Sequence, residues 1–126
     1  MPAQPIALSP AWSEALARWL DQRRALDGAA AKTIIAYQRD VLGFLGFLAR
    51  HRGGAEGMAS LVDLPATDLR SWMSHEQDRG LSARSRARAL SAVKGFLSWG
   101  SDREGGDVTA VLQARGPKYR RRPPRR

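Results

Sequence analysis

Large apolar side chains recur every three or four residues in four successive stretches of this chain, and that spacing commits it to helices. Trp12, Leu16, Trp19, Leu20 and Leu26 make the first stretch, with Arg18, Asp21 and Arg24 at polar positions between them. Ser9-Pro10 reads as its start, because Ser9 can cap and Pro10 suits the first helical position, where a missing N–H has no partner to lose. Asp27-Gly28 reads as its end. A longer stretch, from about Ala30 to Arg50, sets Ile34, Tyr37, Val41, Phe44, Leu45 and Leu48 on one stripe. Gly43 and Gly46 each weaken that helix by about 1 kcal/mol relative to Ala and are read as marks of a close helix crossing.

Gly53, Gly54 and Gly57 then form a loop. Pro65 is read as the first position of a third helix, with Asp68 in the first turn, where the macrodipole favours an acid, and Leu69, Trp72 and Met73 facing inward. Gly80 is its C-terminal stop, and Ser82 caps a fourth helix that reaches Trp99 or Gly100. Asp107 caps a short turn through Val108, Val111 and Leu112, and Gly116-Pro117-Lys118 breaks the pattern. No stretch alternates as a strand does, and no internal repeat occurs. The expectation is an all-α, compact bundle of four to five helices. Residues 1–114 form one helical domain, and residues 115–126 form a basic, Pro- and Arg-rich tail.

Composition narrows the function. The chain has no cysteine, and its two histidines, His51 and His75, lie far apart, so neither disulfides nor a metal site is expected and no cofactor is called for. Residues 1–10 lack a basic start followed by an apolar run, and no later run approaches the ~20 apolar residues that span a bilayer, so a cytoplasmic location is expected. Net charge is +9 with a pI near 11.3, which points to a polyanionic partner. Residues 115–126 hold Arg115, Lys118, Arg120, Arg121, Arg122, Arg125 and Arg126 and no acid. In the remainder, positive charge concentrates in two places, residues 29–52 and residues 82–100. The latter carry Arg84, Arg86, Arg88 and Lys94 with no acid at all.

At 100° per residue Arg84, Arg88, Ser91 and Gly95 fall within about 60° of one another, opposite Leu90, Val93 and Leu97. A basic, lean face opposite a core face suits a helix in a DNA major groove: arginine reaches phosphates or guanine edges, and Ser and Gly let the backbone approach. Ser82 and Ser85 add hydroxyl donors where a helix start favours phosphate, and Lys94 is placed to reach a flanking phosphate. On the second helix Lys32, Ala36, Arg39 and Gly43 share a face, with Thr33 beside it. A merely solvated face is the competing reading, but such faces mix signs to gain i,i+4 pairs, and residues 82–100 do not. Tyr37 is read as a core aromatic with its hydroxyl at the rim. Trp12, Trp19, Trp72 and Trp99 are read as core or protomer-contact residues. Arg86 falls on the apolar side of its helix and is expected to snorkel outward.

Two groups of residues resemble a known family. Ala31-Lys32-Thr33, Tyr37-Gln38-Arg39-Asp40-Val41 and Phe44-Leu45-Gly46-Phe47-Leu48 resemble the second helix of the core-binding domain of tyrosine recombinases. Gly80-Leu81-Ser82-Ala83-Arg84-Ser85, Arg88-Ala89-Leu90-Ser91-Ala92-Val93-Lys94 and Phe96-Leu97 resemble the fourth helix of the bacterial Xer recombinases, the XerC type above all. The likeness runs from about Ser9 to Lys118, where Asp107-Val108-Thr109 onward resembles the approach to the interdomain linker.

The resemblance implies a SAM-like N-terminal domain that holds a recombination half-site of double-stranded DNA, its second and fourth helices toward the major groove. Lys32, Thr33, Arg39, Ser82, Arg84, Ser85, Arg88 and Lys94 are the expected contacts, with Arg84 and Arg88 the candidates for base edges. Partners implied are DNA and related recombinase subunits; no membrane and no small-molecule substrate is expected. In the family a separate catalytic domain supplies two arginines, a lysine, histidines and a tyrosine that forms a 3′-phosphotyrosyl link to DNA. This sequence has no His-x-x-Arg motif, and Tyr37 and Tyr119 lie in no matching context. No catalytic residue is carried over, and catalysis is not expected of these 126 residues. Two other readings stay open: a stand-alone helix-turn-helix regulator, suggested by the Gly80-Leu81-Ser82 turn, and a helical protein-interaction module whose basic tail adds solubility.

Overall fold

A computed structural model of the chain describes residues 9–28, 30–51 and 61–116. Among these the order is α1 (Pro10–Asp27), α2 (Ala31–His51), α3 (Ala66–Asp78), α4 (Ala83–Glu104) and the short α5 (Thr109–Leu112), with no strand. The fold is the all-α bundle that the spacing predicts. The expected glycine loop at Gly53, Gly54 and Gly57 and the expected tail from Pro117 onward lie outside the described residues. No helix among them is long and apolar enough to cross a membrane.

Local chemistry sets the helix ends. The Ser9 hydroxyl accepts from the Trp12 N–H at 3.2 Å with Pro10 just inside the helix, and Gly28 closes α1 in the left-handed region at φ +59°. Gly80, at φ +92°, ends α3. Its N–H donates to the Gln77 carbonyl and the Leu81 N–H reaches the Glu76 carbonyl, the pairing that lets a left-handed residue satisfy the last carbonyls of a helix. Pro65 differs from expectation. It sits at the cap with extended backbone (φ −66°, ψ 145°), and the helix begins at Ala66. α4 also runs on past Trp99 and Gly100 to Glu104, because Gly105 (φ +78°) is the residue that leaves the helical region, whereas Gly100 is buried inside it.

α2 packs against α1, α3 and α4, and α4 against all the other helices, so these two form the middle of the bundle. The largest fully buried side chains are Trp12, Trp19, Trp72, Phe44 and Phe96. Phe44 of α2 meets Trp72 of α3 edge to face at 5.1 Å, and Trp19 of α1 meets Phe96 of α4 likewise at 5.6 Å. Such pairs add about 0.5–1.5 kcal/mol beyond area burial. Tyr37 is half-buried at 5.7 Å from Trp19, in keeping with a rim aromatic. Trp99 is half-buried, stacked on Phe96 at 6.2 Å with the Arg103 guanidinium 4.9 Å from its ring.

Two expectations fail here. Leu26 is 71% exposed, because it stands in the last turn of α1, beyond Leu20, where the buried part of that helix ends. Gly43 and Gly46 mark no crossing: a Cβ built on either meets nothing within 4 Å.

Candidate nucleic-acid interface

The first half of α4 and one face of α2 form the candidate interface. On α4 the Ser82 hydroxyl accepts from the Ser85 N–H at 3.1 Å and donates to the Ser85 hydroxyl, also at 3.1 Å. This caps one of the early N–H groups and leaves those of Ala83 and Arg84 without an intrahelical partner. Arg84 is exposed and has no ion-pair partner among the described residues. On α2 Lys32 and Arg39 are likewise exposed and unpaired among them, and Thr33 is half-buried beside Lys32.

The two helices are tied at Asp40 and Arg88. Arg88 Nε donates to Asp40 Oδ2 and Nη2 donates to Oδ1, both at 3.0 Å, so both carboxylate oxygens are used in one bidentate pair. The Asp40 side chain is 6% exposed and that of Arg88 43%. The hydrogen bond to Asp40 raises the Arg88 pKa above its ordinary value, against the opposing effect of burial. The pair uses one edge of the guanidinium, Nε with one Nη2 hydrogen. The remaining donors, on Nη1 and the second Nη2 hydrogen, form a parallel fork that the carboxylate does not touch.

Other expected contacts are arranged differently from a simple groove-facing stripe. Lys94 is half-buried and its ammonium donates to the Ala114 carbonyl just past α5. Gly95 lies against α1, where an added Cβ would stand 3.6 Å from Trp19 Cζ2. The helical spacing that groups Arg84, Arg88, Ser91 and Gly95 holds, but α1 packs on α4 at Gly95, so the open basic face ends near Ser91. Arg86 lies half-buried and Nη1 donates to the Leu81 carbonyl, which gives its charged head a partner without disturbing the register of the first turn.

Sequence reading passed over three residues. Asp40 and Glu76 are the buried carboxylates among the described residues, 8% and 6% exposed. Glu76 Oε2 accepts from Arg79 Nε at 3.2 Å and Nη2 at 2.9 Å. The signal for both acids was present: Asp40 lies three residues after Tyr37 and four before Phe44, and Glu76 four after Trp72, so each sits on an apolar stripe. Arg79 was hidden by the net acidity of residues 53–81.

The chain is similar to known proteins. The tyrosine recombinase XerC of Methylobacterium nodulans is 41% identical over 118 residues, covering 93% of this chain and 36% of that protein. The tyrosine recombinase XerC of Rhodospirillum centenum is 36% identical over 131 residues, covering 99% of this chain and 37% of that protein. The tyrosine recombinase XerD of Rhizobium meliloti is 38% identical over 120 residues, 94% of this chain and 35% of that protein. The chain thus spans little more than a third of the length of the curated relatives it matches. No solved structure matches it. Residues 16–104, which run from α1 to the end of α4 and contain every residue of the candidate interface, match the family model described as phage integrase, N-terminal SAM-like domain, and the chain belongs to that family.

Proposed function

We propose that this domain binds duplex DNA as the N-terminal part of a Xer-type tyrosine recombinase. It presents the first half of α4 and the exposed face of α2 to a major groove and so positions a recombination half-site. Strand cleavage and rejoining belong, on this reading, to a catalytic domain of the parent protein, and related recombinase subunits are its partners there. Residues 1–114 act as the DNA-binding unit, and residues 115–126 serve as a basic linker that adds nonspecific affinity.

One contrast between helices carries the reading. On α1 two of the three arginines pair with a local acid: Arg18 with Glu14 at 2.6 Å and Arg24 with Asp21 at 3.2 Å. On α2 and α4, Lys32, Arg39 and Arg84 have no such partner among the described residues, and Asp40 and Arg88 lock their two helices together. Positive charge left uncompensated on a rigid two-helix surface suits a polyanion.

Arg84 and the outer fork of Arg88 are then the base-edge candidates, while Lys32, Thr33, Arg39, Ser82 and Ser85 take phosphates. Lys94 contributes through its hold on the Ala114 carbonyl as much as through charge. The test is binding of the 126-residue chain, wild type and Arg84→Ala, to a labelled half-site from a matched recombinase system and to a scrambled duplex. Preference for the half-site that shrinks in the variant is expected. Equal binding to both duplexes, unchanged by the substitution, would reduce the interaction to the basic tail and refute the reading.

A further inference from the structure

A cleft of about 330 Å³ opens between α2, α3 and α4, and its wall brings together Arg39, Arg79, Arg88 and Ser85. Asp40 and Glu76 line it as well, each already held by one of those arginines. The two pairs differ at the acid, Asp40 using both oxygens and Glu76 using Oε2 alone with Oε1 3.3 Å from His75 Nδ1, and agree at the arginine. In each, a buried carboxylate takes Nε and Nη2 of an arginine whose side chain is otherwise open, 43% for Arg88 and 61% for Arg79. Each guanidinium is therefore fixed in orientation and keeps its Nη1 edge for another acceptor. Arg39 has no ion-pair partner among the described residues. Three guanidinium groups against two carboxylates leave one positive charge on the cleft, and a phosphodiester carries one negative charge.

We propose that this cleft seats a single backbone phosphate of the bound duplex, and that Arg79 is a DNA contact in its own right. The inference rests on the DNA-binding reading and extends it to a third helix. Compact tetrahedral oxygens suit a concave site with donors converging from three sides, whereas a base edge is flat and needs one coplanar fork. Glu76 is a positioning residue here: it holds Arg79 at the end of α3, next to the start of α4. The contact has no base to read, so it contributes equally to all sequences.

The experiment measures the dependence of affinity on salt for the 126-residue chain and a labelled duplex of arbitrary sequence. Three chains are compared with the wild type: Arg79→Ala, Arg84→Ala, and Arg79→Ala/Glu76→Gln, which avoids leaving a buried carboxylate without its arginine. Circular dichroism verifies the fold of each. The tail is common to all, so differences report the folded domain. Loss of one phosphate contact lowers the log–log slope by about 0.9, so a fourfold rise in salt should weaken both Arg79 variants about 3.5-fold less than the wild type.

In the wild-type chain, the Arg79 Nε–H resonance should also shift on adding duplex. A wild-type slope in both Arg79 variants, with an unmoved Arg79 resonance, overturns the phosphate seat. The DNA reading would survive that result if Arg84→Ala still reduces the preference for a matched half-site over this arbitrary duplex. Absence of any duplex binding by the wild type overturns both.

Discussion

Arg88 of α4 grips Asp40 of α2 through two parallel hydrogen bonds of 3.0 Å, across 48 residues of chain, and the carboxylate it grips is almost wholly buried. The pair stitches together the two helices of the candidate interface. It also gives Arg88 a fixed plane, so any contact made by its outer fork is set before DNA arrives. A pre-oriented side chain gives up less rotamer freedom on binding than a free one.

Removing one partner should therefore act on the fold first. Arg88→Ala leaves the Asp40 carboxylate buried and unpaired, a change worth about 3–5 kcal/mol when both partners are buried; with Arg88 half in water the expected loss is nearer 2 kcal/mol. Asp40→Asn/Arg88→Ala should lose less than the two single variants combined, because no bare charge remains. Urea denaturation of the four chains checks this, and simple additivity would mean that the pair contributes nothing as a pair.

Base-edge and phosphate contacts should separate in DNA binding. Arg84→Ala is expected to cost about 1–3 kcal/mol on a preferred site and much less on a scrambled one, as loss of a bidentate base contact does. Lys32→Ala should weaken both duplexes alike and lower the salt slope by about 0.9. Fluorescence anisotropy on both duplexes at several salt concentrations distinguishes them. A uniform loss for Arg84→Ala would reassign that residue to the backbone.

The helices could be read from the chain because their signals are local. Ser9, Pro10, Gly28, Gly80 and Ser82 act within one turn of where they stand, and the apolar stripes need only 3.6-residue spacing. What escaped reading depends on contacts between distant segments. Spacing places Gly95 and Arg84 on one face, but only the packing of α1 reveals that Gly95 meets Trp19. Lys94 looks free until Ala114 folds back to it, and Arg79 looks like part of an acidic segment until Glu76 is seen to be buried. Asp40 was the missed chance, since an acid on an apolar stripe needs a cation and the acid-free fourth helix offers one.

Glycines give a stability test that also probes the interface. Gly43 and Gly46 lie inside α2 with open space where a Cβ would stand, so Gly43→Ala and Gly46→Ala should each stabilise the domain by up to about 1 kcal/mol. Gly43 lines the cleft beside Arg39, so Gly43→Ala should also weaken DNA binding. Gly106→Ala should go the other way, by about 1–3 kcal/mol: its φ is +113° and the new Cβ would lie 2.6 Å from Val62 Cγ2. Thermal melts rank the three, and a destabilised Gly46→Ala would contradict its open surroundings.

Acid should loosen the start of α5. The Asp107 carboxylate accepts from the Thr109 N–H at 2.9 Å at the start of α5, and its hydrogen bonds to the Thr109 side chain and backbone hold its pKa below the usual carboxylate value. A carboxyl whose folded pKa is depressed stabilises the fold above its unfolded pKa of about 3.9, and that contribution is lost as pH falls through the folded value. The expected outcome is a shift of the Thr109 and Val111 amide resonances on acidification below about pH 4. In Asp107→Asn the same step should vanish, because an amide at that position has no proton to take up in this range. Persistence of the step in that variant would place the titrating group elsewhere.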